Sequence, residues 1–204
     1  MIDTMSSAEA SYGDPQTRER ILGATWEILE ERGAVSLADV AARSGVSRQA
    51  VYLHFGDRVG LLVALVDHID LTLGSLGLRR AVFDAPDGVS SLRQWVETMS
   101  WYTAKIDAVC RILECGQYHD DALAAAWRNR MGRRRNDLVG WIVKRIASEG
   151  RLAPGWTSKT AADLVYVVTM PASWRELTVE LGWSHKAYAR HLSAMLESAF
   201  VTTT

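Results

Sequence analysis

Charge of one sign is the first thing this 204-residue chain lacks: 23 Lys and Arg stand against 24 Asp and Glu, for a formal net charge of −1. That excludes a global basic field for holding nucleic acid, so any contact with DNA has to come from where individual arginines sit. Cysteine is scarce as well. Cys110 and Cys115 lie on one helical segment, turned about 140° apart around its axis, which excludes a disulfide between them and gives no sign of an oxidising compartment. No apolar run approaches the roughly 20 residues of a membrane-spanning helix. The opening MIDTMSSAEASYGD has no basic start followed by an apolar stretch, as a secretory signal would. A cytoplasmic protein with no membrane partner is expected. Alternating strand patterns, internal repeats, low-complexity blocks and cofactor-binding glycine loops are missing too, so neither a β-rich fold nor a cofactor is anticipated.

What is present is helical periodicity, in a chain that is 48% hydrophobic and long enough to bury a core. Residues 1–13, rich in Ser, Ala, Glu and Gly, read as a flexible tail. Asp14-Pro15 then caps a first helix that Gly33 stops, and Ser36 with Asp39 opens a short second one. Ser47 caps a third helix running to about His54. Gly56-Asp57 breaks the chain and caps a fourth, whose apolar residues continue towards Leu78. After the DAPDG turn, Asp84 to Gly88, a long amphipathic helix is expected to begin at Ser91 and Gln94. Another follows His119-Asp120-Asp121 and ends at Gly150. From Ser158 a further helix is predicted to be interrupted by Pro171 and closed by Gly182, and Ser184 caps the last. The expected class is all-α: a helix-turn-helix unit over 14–56, and a larger helical domain over 57–204.

Two short helices joined by a glycine turn, with Leu37, Val40, Ala41, Val46, Val51 and Phe55 facing inward, make a helix-turn-helix. At 100° per residue, Arg48, Gln49 and Tyr52 share one outward arc of about 100°. Arginine can address guanine O6 and N7, glutamine can address adenine, and tyrosine offers a hydroxyl to phosphate and a ring to a thymine methyl. Ser36 and Ser47 stand at helix N-termini, natural phosphate sites, while Arg43 and Arg58 flank the same surface and His54 can donate to a phosphate.

The run SLADVAARSGVSRQAVYLHFGDRVGLL resembles the DNA-binding signature of the TetR/AcrR family of bacterial transcription regulators. Ser36, Val40, Ala41, Gly45, Val46, Ser47, Tyr52, His54, Phe55 and Leu61 carry the match, over about residues 15 to 65. The sequence departs from the family pattern where a lysine often follows the phenylalanine: Gly56 stands there, with Arg58 behind Asp57. The resemblance implies a homodimer on a double-stranded DNA operator, with an effector-binding domain after about residue 60. It further implies a small apolar or aromatic effector. Trp95, Met99, Tyr102, Cys110 and Trp127 are candidates to line its pocket, with Met131, Trp141, Tyr166, Met170 and Trp174. The end of the chain, AADLVYVVTMPASWRELTVELGWSHKAY, resembles the last two helices of such regulators, which form the dimer interface. Leu164, Val168, Trp174 and Leu181 are the interface candidates there, with Tyr188, Leu192, Met195 and Ala199.

Arg128, Arg130, Arg133, Arg134 and Arg135 form the densest basic cluster, and consecutive positions spread around a helix, so a solvated, ion-paired face is expected. His119-Asp120-Asp121 reads as N-capping acids rather than a metal site, and no metal is expected. A regulator without a small-molecule effector, acting as repressor or activator, stays open, and an all-helical enzyme is the distant alternative.

Overall fold

The computed structural model describes residues 14–202, so the tail expected over 1–13 lies outside the described residues. Four helices make the N-terminal unit. Helix α1 (Pro15–Arg32) starts where the Asp14 carboxylate accepts from the Gln16 and Thr17 amides, and it stops at Gly33, φ 68°. The Ser36 hydroxyl accepts from the Asp39 amide to open α2 (Leu37–Ser44), and Gly45, also left-handed, ends it. Ser47 caps α3 (Arg48–Phe55), and Asp57 caps α4 (Arg58–Thr72) at an angle of 69° to α3. Ile21, Leu22, Ile28 and Leu29 of α1 are sealed against Val40, Val51, Leu61, Leu62 and Leu65, so the opening turns of α4 share a core with the helix-turn-helix.

The body is α5 (Ser75–Phe83), the long α6 (Gly88–Gly116), α7 (Asp121–Arg133), α8 (Gly140–Ser148), α9 (Ser158–Val168), α10 (Pro171–Arg175) and α11 (His185–Phe200). Helix α6 runs through its centre, and α11 lies along it, burying Tyr188, Leu192, Leu196 and Phe200. No β-strand occurs among the described residues; Leu152 and Val201 form a single antiparallel bridge.

Several boundaries differ from expectation, each for a local reason. The fourth helix does not continue to Leu78: Gly74 adopts φ 64° and turns the chain into the separate α5. Helix α6 begins at Gly88 because the Asp87 carboxylate, rather than Ser91, takes the cap by accepting from the Ser90 amide, and Ser91 is buried inside the helix. The helix after Asp120 winds through a π-helical turn, Arg134–Val139, before α8 resumes. Pro171 interrupts the α9 run as expected, with Met170 extended before it.

Gly88 also marks where α6 meets α8. Its amide donates to both carboxylate oxygens of Glu149, at 3.1 and 2.9 Å. A β-carbon there would lie 2.7 Å from the Ile146 amide nitrogen and 2.8 Å from Ile146 Cγ1. Gly88→Ala is therefore expected to destabilise the fold by about 1–3 kcal/mol, read as a lower urea midpoint at unchanged slope.

Candidate nucleic-acid interface and adjoining cavity

Helix α3 is held from behind and open in front. Val51 is fully buried and Ala50 nearly so, while Arg48, Gln49 and Tyr52 are exposed, Tyr52 at 61%. The arc predicted from spacing is thus present as a surface, and Leu53 extends it. Ser36 and Ser47 are exposed at the starts of α2 and α3, each with its hydroxyl engaged as a cap.

The flanking candidates are more constrained. Arg43 donates to Glu31 at 2.7 and 3.0 Å and to Glu27 at 3.4 Å, and the Glu31 hydrogen bonds hold its guanidinium above the usual arginine range. A phosphate would have to displace those carboxylates. Arg58 points its Nε at the Val35 carbonyl, 3.0 Å away, tying the start of α4 to the α1–α2 loop. His54 is half-buried with Nε2 enclosed and unpartnered, so that nitrogen does not reach the surface where a phosphate would lie. Arg18 covers the Phe55 ring at 5.4 Å and braces the C-terminal end of α3.

Beyond the helix-turn-helix lies a cavity of about 380 Å³ between α4, α5, α6 and α7. Trp95, Met99, Tyr102 and Met131 line it, together with Val82, Ile106 and Leu138. The other pocket candidates sit elsewhere. Cys110 and Trp127 fill the core. Trp141 packs edge-on against Phe83, Tyr166 faces Arg135, and Trp174 donates its indole N–H to the Ser100 carbonyl at 2.8 Å. Met170 packs beside the core at the α9–α10 break.

Arg130 and Arg134 also line this cavity, contrary to the solvated face expected for the arginine cluster. Arg130 makes a two-pronged pair with Asp70 of α4, both bonds 3.0 Å, and also donates to the Tyr102 hydroxyl at 3.2 Å. The Tyr102 hydroxyl in turn donates to Asp70. Burial, with Asp70 adding to it, pushes the Tyr102 phenol well above its usual range and keeps it a donor. Arg134 stacks 5.1 Å over the Trp95 ring and donates to the Thr169 carbonyl. The signal was in the spacing: Leu123, Trp127 and Met131 form an inward stripe, and Arg134 takes the next inward position before Leu138.

The interface candidates divide as well. Trp174, Tyr188 and Leu192 are buried in the protomer; on α11 the buried row Tyr188, Leu192, Leu196 and Phe200 drifts about 40° around the axis every four residues as it packs on α6, which leaves Met195 and Ala199 at its outer edge. Leu164, Leu181, Met195 and Ala199 are exposed and Val168 is half-exposed; Val167, Val179 and Trp183 join that outward surface. Both cysteines are free, Cys110 buried and Cys115 exposed. Asp120 caps α7 through the Ala122 and Leu123 amides, and the described residues hold no cluster of His, Cys, Asp and Glu that could bind a metal.

A capped, outward-facing α3 seated across a glycine turn from α2, on a helical body with its own cavity, defines a helix-turn-helix regulator. Residues 21–65 match the model for bacterial regulatory proteins of the tetR family. The transcriptional repressor BepR of Brucella suis is 26% identical over 158 residues, 74% of this chain and 75% of its own length. The repressor LfrR of Mycolicibacterium smegmatis is 32% identical over 83 residues, 41% of this chain and 43% of its own length. The crystal structure of a regulator from Saccharomonospora viridis in complex with choline matches 93% of this chain and 100% of its own at 15% identity and a TM-score of 0.78. Over residues 21–65 the chain is thus similar to the tetR family of bacterial regulatory proteins, and over most of its length it has the fold of solved TetR-family regulators.

Proposed function

We propose that this protein is a cytoplasmic, homodimeric transcriptional repressor that holds an operator through α3 and leaves it when a small molecule occupies the cavity. The observation that carries the reading is the exposed Arg48, Gln49 and Tyr52 edge on a short helix whose opposite face is buried. Two such helices, about 34 Å apart in a dimer, would enter successive major grooves. The outward apolar surface of α9 and α11, with Leu164, Val167 and Met195, suits a second copy as its cover. No single helix among the described residues is long and apolar enough to cross a membrane.

Helix α4 supports the regulatory half of the proposal. It shares a core with α1 and meets α3 at one end, while Asp67, Asp70 and Leu71 line the cavity at the other. A ligand that prefers one placement of α4 biases the separation of the two reading helices. Moving such an equilibrium from 99:1 to 1:99 takes about 5.5 kcal/mol of differential binding.

Fragments bound from the source genome at low salt give the operator, and a gel shift with the variants tests the surface. Because their side chains are exposed, Arg48→Ala and Tyr52→Ala are expected to stay folded and dimeric. Each should lose roughly ten- to a hundredfold in operator affinity. Wild-type affinity in both would overturn the assignment of α3.

A further inference from the structure

The cavity carries an excess of positive charge. Arg79, Arg130, Arg133 and Arg134 line it against Asp67 and Asp70, and Asp70 is already committed to Arg130. Arg134 has no carboxylate partner among the described residues, and its Nε is enclosed without a hydrogen-bond partner. The Trp95 indole N–H, on the other wall-forming side chain of the same stack, is also buried and unpartnered. Both orphaned groups are enclosed donors, so they mark a local shortage of acceptors behind the cavity wall, while the cavity itself is lined by the Arg134 side chain. Burial pushes the Arg134 guanidinium down to about 10, with Arg130 adding to the push, which is the response of a cation short of an anion. It is still charged at neutral pH.

We infer that the ligand of this cavity is an organic anion: a carboxylate drawn to the Arg134 guanidinium with Arg79 and Arg133 beside it on the wall, and an apolar body among Met99, Met131 and Leu138. This rests on the cavity being the effector site. A carboxylate accepts and never donates, and charge-assisted hydrogen bonds to a guanidinium are the strong ones. At about 30 Å³ per liquid water the space equals roughly a dozen waters, which suits a medium-chain or single-ring acid. A cation would find Asp67 as the one uncommitted carboxylate on the wall, against the guanidiniums of Arg79, Arg133 and Arg134, which make no ion pair among the described residues.

The test titrates the full chain with decanoate and with decanamide, its uncharged isostere, following tryptophan fluorescence and thermal unfolding. Decanoate is expected to bind at least about tenfold tighter than decanamide. Arg134→Met should erase that difference, Arg134→Lys should retain part of it, and Met131→Trp should block both compounds by filling the cavity. If Arg134→Met fails to fold, the Lys and Trp variants still decide the matter. Equal binding of both compounds, blocked by Met131→Trp, leaves the cavity a ligand site and overturns the anion. Decanoate binding that survives Met131→Trp lies elsewhere and also overturns it. Binding of neither compound to a folded, operator-competent protein overturns both the anion and the cavity reading.

Discussion

Asp70→Asn is expected to cost about 3 kcal/mol of stability, because it leaves the Arg130 guanidinium enclosed with no opposing charge. The side chains of Arg130 and Asp70 are 12% and 27% exposed, and the two bonds between them are both 3.0 Å. Taking one member out of such a pair is harsher than taking both, since the remaining charge keeps its desolvation cost. The low end of the usual range applies, because Asp70 faces a cavity that water can enter. In a chain of this size the loss corresponds to a fall in Tm of about 6–12 °C. The double variant Asp70→Asn with Arg130→Met should recover most of it, giving a coupling energy well above the few tenths of a kcal/mol of independent sites. A single variant as stable as wild type, or a double variant that simply adds the two losses, would show that the pair does not tie α4 to α7.

That pair also shows where sequence reading runs out. The exposed edge of α3 was legible because its geometry is local: Ser47 caps, Gly45 turns, and 100° per residue separates Arg48, Gln49 and Tyr52 from Val51 without reference to the rest of the chain. The cavity is not local. Asp70, Tyr102 and Arg130 come from three helices, and nothing in their own segments sets them within 3.2 Å of one another. The arginine cluster misled for a related reason. Residues 133 to 135 do spread around the axis, and Arg135 does pair outside with Asp163, but the same rotation sends Arg134 inward. Aromatic residues were an ambiguous guide, since Trp127 and Trp174 fill the core with the same helical spacing that places Trp95 on the cavity wall. In the last helix Tyr188, Leu192, Met195 and Ala199 share one arc of about 60°, and only the packing against α6, which follows the drifting row Tyr188, Leu192, Leu196 and Phe200, sorts the buried ones from the exposed.

Gly60→Ala is expected to cost about 3 kcal/mol or more, and to disable the reader even where the chain still folds. Gly60 lies in the first turn of α4, where its amide donates to the Asp57 carboxylate at 2.7 Å. A β-carbon at this position would stand 2.1 Å from the Phe55 carbonyl oxygen and 3.2 Å from its carbon. That carbonyl belongs to the last residue of α3 and already accepts from the Asp57 amide at 2.9 Å, so it cannot swing aside as a flexible side chain would. Relief requires moving the end of α3 away from α4, which tilts Arg48, Gln49 and Tyr52 relative to the lever that places them. Operator binding should therefore fall further than for either single reading-edge variant, while the body containing α6 and α11 keeps its packing. Gly23→Ala is the control. It sits inside α1 with nothing within 4 Å of the added carbon, and there the same substitution is expected to stabilise by about 0.5–1 kcal/mol through helix propensity. The urea midpoints of the two variants should thus move in opposite directions, and only Gly60→Ala should lose operator affinity in a gel shift. A Gly60→Ala protein with wild-type stability and operator affinity would show that the α3–α4 corner is slack, and that α4 cannot transmit a cavity signal to the reading helix through it.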